Sequence, residues 1–157
     1  MLIWAAIIST GFGIGTYYVA TTGDDLNGDG SFGNPWLTVS NGVFNAVAGE
    51  VVHVAAGTYT LTTNILVTNA ITLRGASRTN TIIQGQFPAI TNRVIYLNHA
   101  GATVEEFTVT GFGMTQNTPA GSGAGGGVYL VDGTLQACIV STTSARTAAA
   151  GFTRPPA

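Results

Sequence analysis

The chain has 157 residues and a mass of 16.0 kDa, with 8% charged residues and a formal net charge of -2. Ordinary globular chains carry about 25% charged residues. Five Arg and seven acids are too few for a polybasic nucleic-acid surface or an acidic solvating tail. The single Cys138 excludes an internal disulfide and a cysteine zinc cluster.

The length fits one domain or a piece of a larger one. With 45% apolar residues the chain does not carry the signature of disorder. Its 22 Gly, 24 Thr and many β-branched residues suit short strands joined by tight turns.

Residues 2–8, LIWAAII, form an apolar run far shorter than the ~20 residues that span a bilayer. No membrane span is expected. Residues 1–15 are a candidate signal-peptide remnant, with Ser9 to Gly15 as a small-residue cleavage zone. The competing readings are a first strand or a start codon inside a longer signal. A strand follows at Tyr17–Ala20.

Asp25, Asn27 and Asp29 place oxygen ligands at alternate positions before Gly30. That is the first half of a calcium loop, with hard oxygen donors and a Gly for the sharp turn. Trp36 stands where an EF-hand would carry Glu. The competing reading is an Asx-rich turn leading into a helix.

Residues 34–49 carry Val39, Val43, Ala46 and Val47 on one helical face. A capping helix over about 38–48 follows, with Thr38 as its N-cap and Gly49 in the left-handed position at its end. Val43 and Val47 are expected to pack on the first coil of what comes next. Such a helix would cover the open strand edges there.

Beyond it, short apolar segments recur. One row reads Val52, Ile71, Val94 and Val128, with steps of 19, 23 and 34 residues. A second reads Ile65, Ile82, Phe107 and Ile139, with steps of 17, 25 and 32. A period near 20 with two or more strands fits a parallel β-helix. Val52/Val54 and Ile71/Leu73 turned inward leave His53, Thr72 and Arg74 outside; Arg93 is the second basic group expected to face outward.

Glu105 and Glu106 are neighbours, so in a strand they would point to opposite faces. A corner there reconciles inward Val104 with inward Phe107, and the two read as exposed turn carboxylates. Cys138 reads as a small filler, and His53 and His99 have no Ser or Cys partner. Gly121–Gly127 has no following Lys-Ser/Thr and reads as a loop rather than a phosphate cradle. After Ala145 strand alternation stops, and residues 146–157 read as a disordered tail.

Several segments carry a resemblance: 17–39 (YYVATTGDDLNGDGSFGNPWLTV), 49–59 (GEVVHVAAGTY), 71–77 (ITLRGAS), 81–85 (TIIQG), 104–112 (VEEFTVTGF) and 125–141 (GGGVYLVDGTLQACIVS). Together they resemble the opening of right-handed parallel β-helix proteins of the pectate-lyase-like superfamily. The motifs are fold motifs and none is catalytic. In such repeats the position of Glu106 is commonly Gly, and Ala137 and Thr143 stand where Asn is common.

The resemblance implies an all-β, right-handed parallel β-helix over residues 16–145, with roughly four coils. It also implies a secreted or cell-surface module, extracellular, adhesin-like or carbohydrate-contacting and non-catalytic, with polysaccharide as partner and Arg74 and Arg93 as contacts. The alternative is the N-terminal part of a polysaccharide lyase or glycoside hydrolase, in which Arg74 would neutralise a uronate or act as base. No carboxylate cluster is expected beside it. A plain scaffold is the third reading. The last coil is expected to expose Val128, Leu130 and Ile139, favouring end-to-end self-association.

Overall fold

A computed structural model describes residues 15–86, 93–112, 127–141 and the strand Phe152–Thr153. The candidate signal remnant, apart from Gly15, and the Gly-rich loop Gly121–Gly127, apart from Gly127, lie outside the described residues.

Eleven strands and one helix are present among the described residues: β1 (Thr16–Val19), α1 (Val39–Asn45), β2 (Val51–Val54), β3 (Gly57–Thr60), β4 (Ile65–Val67), β5 (Thr72–Gly75), β6 (Thr81–Gln84), β7 (Ile95–Glu105), β8 (Thr108–Thr110), β9 (Val128–Gln136), β10 (Ile139–Val140) and β11 (Phe152–Thr153). Every pair of strands is parallel. The chain therefore climbs in coils, and the fold is a right-handed parallel β-helix, the hand that parallel crossovers take.

Three walls result. Wall A stacks β1, β2, β5, the end of β7 and the end of β9. Wall B stacks β3, β6, β8 and β10. Wall C stacks β4, the start of β7, the start of β9 and β11. Strands β7 and β9 serve two walls each, because register shifts between Leu97 and Thr103 turn them round a corner.

The core is a set of vertical stacks. Val52, Leu73 and Val104 pair in register and are fully buried; Leu135 continues their row. Tyr59, Ile83 and Val109 form the stack of wall B, and Ile65, Ile95 and Val128 that of wall C. Burying each such side chain contributes roughly 1.5–3 kcal/mol.

These stacks correct the rows read from the sequence. Val52 pairs with Leu73 rather than Ile71, and Ile65 with Ile95 rather than Ile82. The steps on wall A are 21, 31 and 31 residues (52 to 73, 73 to 104, 104 to 135). Coil length varies because the corners carry inserts, so no constant period near 20 exists.

The helix starts as expected. Thr38 is extended, and its hydroxyl accepts the Asn41 N–H at 3.2 Å. It ends earlier than expected, at Asn45, because Ala46 turns extended and the Glu50 carboxylate accepts the Val47 N–H at 2.8 Å. Val39, Val43 and Ala46 are buried, but Val47 is 49% exposed and does not pack on the coil. Gly49, at φ +92, serves the turn into β2 instead of the helix end. The helix lies on β1, β2 and β4. Gly42 permits that approach: a Cβ there would come within 2.8 Å of the side chains of both Val19 and Val52.

The far end also differs from expectation. Phe152–Thr153 pairs with Val128–Tyr129, so the segment expected as a featureless tail adds a strand to wall C. Val128 is fully buried and Leu130 partly so; Ile139 is 43% exposed.

Candidate functional site

Alternation on wall A turns every second residue outward. Register then aligns Tyr18, His53, Arg74, Glu105 and Gln136 in one outward column across five strands. A second column beside it reads Thr16, Val51, Thr72, Thr103 and Thr134.

Side chains of the first column meet in two groups, the rings at one end and Arg74, Glu105 and Gln136 at the other. Phe32 meets Tyr18 edge-on at 5.3 Å, and the Tyr18 and His53 rings lie 5.6 Å apart. The Arg74 Nε donates to Glu105, and the Gln136 amide donates to the other oxygen of the same carboxylate. The Arg74 side chain is 51% exposed and that of Glu105 12%. The Gln136 amide above all, helped by the Arg74 guanidinium, holds the Glu105 carboxyl below the usual range against the opposing effect of burial. At neutral pH Glu105 is an anion with no proton to give.

The expectation for Glu105 is thus corrected. It stands in a strand beside Arg74, not free in a turn. Glu106 does take the corner, at φ +61, where its carboxylate accepts the Arg78 N–H at 3.2 Å. Ala137 occupies the equivalent corner one coil on, at φ +50. The left-handed backbone explains why Gly or Asn is common at such positions.

Arg93 is on a different wall from Arg74. Its guanidinium sits 3.7 Å from the Tyr129 ring centre and 5.9 Å from that of Tyr96. The two rings stack at 5.8 Å and 10°, on the outward side of wall C with Leu66. This is a cation–π cluster, separate from the wall A column.

Asp25, Asn27 and Asp29 are tied to three different places. The Asp25 carboxylate accepts from the Leu37 and Thr38 N–H groups at 2.8 and 3.0 Å and from the Thr38 hydroxyl at 2.7 Å. Asn27 donates its amide to Asp24 at 2.8 Å, and Asp29 accepts the Ser31 N–H at 2.9 Å. Asp24, absent from the sequence reading, also accepts the Leu26 and Asn27 N–H groups. The Asn27 bond above all keeps its carboxyl low, as the Ser31 bond does for Asp29. Among the described residues no three His, Cys, Asp or Glu side chains are grouped to hold a metal ion.

His99 accepts the Gly101 N–H at 3.1 Å and is bound into a corner. Burial pushes the Cys138 thiol up, and it faces the Gln136 carbonyl at 3.2 Å. No helix among the described residues is long and apolar enough to cross a membrane.

No protein family model matches the chain, and no curated protein does. Two solved structures are similar to it. A pectin methylesterase mutant in complex with hexasaccharide IV matches with TM-score 0.48 and 15% identity, over 82% of this chain and 45% of that one. Pectin methylesterase PemA from Erwinia chrysanthemi matches with TM-score 0.43 and 17% identity, over 76% and 44%. The chain spans less than half the length of either.

Proposed function

We propose that this chain is a secreted or cell-surface β-helix module that contacts polysaccharide along the outward face of wall A without cleaving it. The observation that carries the reading is the column Tyr18, His53, Arg74, Glu105 and Gln136. Coils repeat about every 4.8 Å, so the column offers one polar or aromatic group per coil to an extended polymer. Tyr18 and Phe32 supply ring surface at one end; Arg74, Glu105 and Gln136 supply donors and an acceptor at the other. The Thr column beside it adds hydroxyls.

The non-catalytic part rests on charge. Glycoside hydrolysis uses two carboxylates about 5–9.5 Å apart in different protonation states. On this column Glu105 is ionised and paired. A lyase base must be free to take a proton, and here Arg74 is held against Glu105.

Affinity electrophoresis in gels containing polygalacturonate, xylan or cellulose derivatives tests the reading. Retardation in at least one gel, reduced in Arg74→Ala and Tyr18→Ala, is the expected result. No retardation in any gel sinks it. Unsaturated product absorbing in the ultraviolet, lost in Arg74→Ala, would replace it with the lyase reading.

A further inference from the structure

Wall B ends at β3, whose far edge pairs with no other strand among the described residues. Gly57 and Leu61 donate their N–H groups to Asn80 and Gln84 of the next coil, at 2.8 and 2.9 Å. Backbone groups alternate in direction along a strand. The N–H and C=O of Thr58 and Thr60 therefore face the open edge.

Beside that edge lies a cavity of about 340 Å³, within the range of about 300–1,000 Å³ for small-molecule sites. Thr58, Thr60, Thr62 and Thr63 line one side, and Leu37 and Ser40 line the other. Leu61 is buried in its floor, while Leu37 stays 41% exposed at the rim. None of the lining residues is acidic or basic. Two of its hydroxyls are used within the fold: Thr38 bonds Asp25 and Asn41, and Tyr59 donates to the Ala55 carbonyl at 2.9 Å. The threonines of β3 and the following turn are exposed.

We propose that this cavity binds a neutral saccharide unit. Hydroxyl groups on both partners donate and accept, so a sugar can satisfy the threonine hydroxyls together with the β3 edge amides, which pair with no strand among the described residues. The apolar C–H face of a pyranose fits against Leu37 and Leu61. A uronate would bring a charge into a site with no cation to pair it, which is costly. The cavity shares no residue with the wall A column, so the proposal does not rest on that face.

The test is an amide-resolved titration of the full chain with three neutral disaccharides (cellobiose, maltose and xylobiose), with digalacturonate, and with an uncharged hexapeptide. A neutral disaccharide should give saturable shifts at Leu37, Thr58 and Thr60, and digalacturonate none there. Thr60→Val keeps the side-chain shape and should weaken binding on the order of five-fold, the loss of one hydrogen bond. Ser40→Ala should do the same, and Leu66→Ala, at an exposed position on wall C outside the cavity, should leave the affinity unchanged. The proposal is overturned if none of the three disaccharides saturates these amides. Shifts produced only by the hexapeptide, or by raising protein concentration alone, would overturn it too: the open edge would then take a strand from another chain.

Discussion

Arg74 and Glu105 stand 31 residues apart in the chain and side by side on adjacent coils, guanidinium against carboxylate. Gln136, one coil further on, closes the other side of the same carboxylate. Glu105 is held below its ordinary pKa, so the folded state favours its charged form. Its stabilising effect is present above the unfolded carboxyl range and is lost as pH falls through the lower folded value. Arg74 is half exposed and solvent screens the pair from that side, so the effect should stay below about 1 kcal/mol. Glu105→Gln should be less stable than the parent at pH 7 and converge with it in acid. Urea midpoints measured from pH 7 to pH 3 check this; a constant gap across the series would show that the charge contributes nothing.

The corner at Ala137 gives a second prediction. A non-Gly residue in the left-handed region costs about 1–2 kcal/mol, and the methyl side chain of Ala137 has no polar atom to offset it at φ +50. Ala137→Asn should raise stability by roughly 1 kcal/mol, since Asn tolerates this conformation. Ala137→Gly should gain less, because Gly loses more chain entropy on folding. Ala137→Val should lower stability. A thermal midpoint for Ala137→Val at or above those of Ala137→Asn and Ala137→Gly would contradict the corner's backbone.

The helix seat gives a third. Gly→Ala within a helix usually stabilises by about 1 kcal/mol. At Gly42 the new Cβ would press on Val19 and Val52 at 2.8 Å. Overpacking of this kind costs about 1–3 kcal/mol, so Gly42→Ala should destabilise. Val43→Asp places an unpaired charge in the same contact and should cost several kcal/mol. Val47→Asp, on an exposed residue, should be nearly neutral. Denaturant midpoints decide, and equal losses at Val43 and Val47 would mean the helix is turned differently.

What the sequence made legible follows from these residues. The capping Thr38, the buried Val39 and Val43, and the inward Val52 and Val54 are local patterns, and local patterns survive without knowledge of the fold. The parallel coil was legible because short β-branched strands recur with turn residues between them. The rows were misread because register depends on how much chain each corner absorbs, and the long corners carry no strand pattern. The wall A column was missed for the same reason. One signal could have found it: Leu73-Arg74-Gly75, Val104-Glu105-Glu106 and Leu135-Gln136-Ala137 repeat an apolar, polar and turn residue at intervals of 31. Asp25 was legible as an oxygen donor, but its acceptor duty toward Leu37 and Thr38 lies 12 and 13 residues away.

That duty sets the last prediction. The Asp25 carboxylate binds two backbone N–H groups and the Thr38 hydroxyl, and Thr38 in turn caps α1. Hydrogen bonds to a charged group contribute about 1.5–3 kcal/mol, and loss of the cap geometry adds to the damage. Asp25→Ala should therefore lower stability by about 2–3 kcal/mol. Asp29→Ala releases the single Ser31 N–H of an exposed turn and should matter less. If hydrogen bonding is the whole role of Asp25, the loss should be equal in chelator and in millimolar calcium. Thermal midpoints in both buffers check this. A parent midpoint that rises with calcium while Asp25→Ala, Asn27→Ala and Asp29→Ala fail to follow would establish the loop as a calcium site instead, since a bound ion stabilises the folded state by about 2.7 kcal/mol at 100 times its dissociation constant.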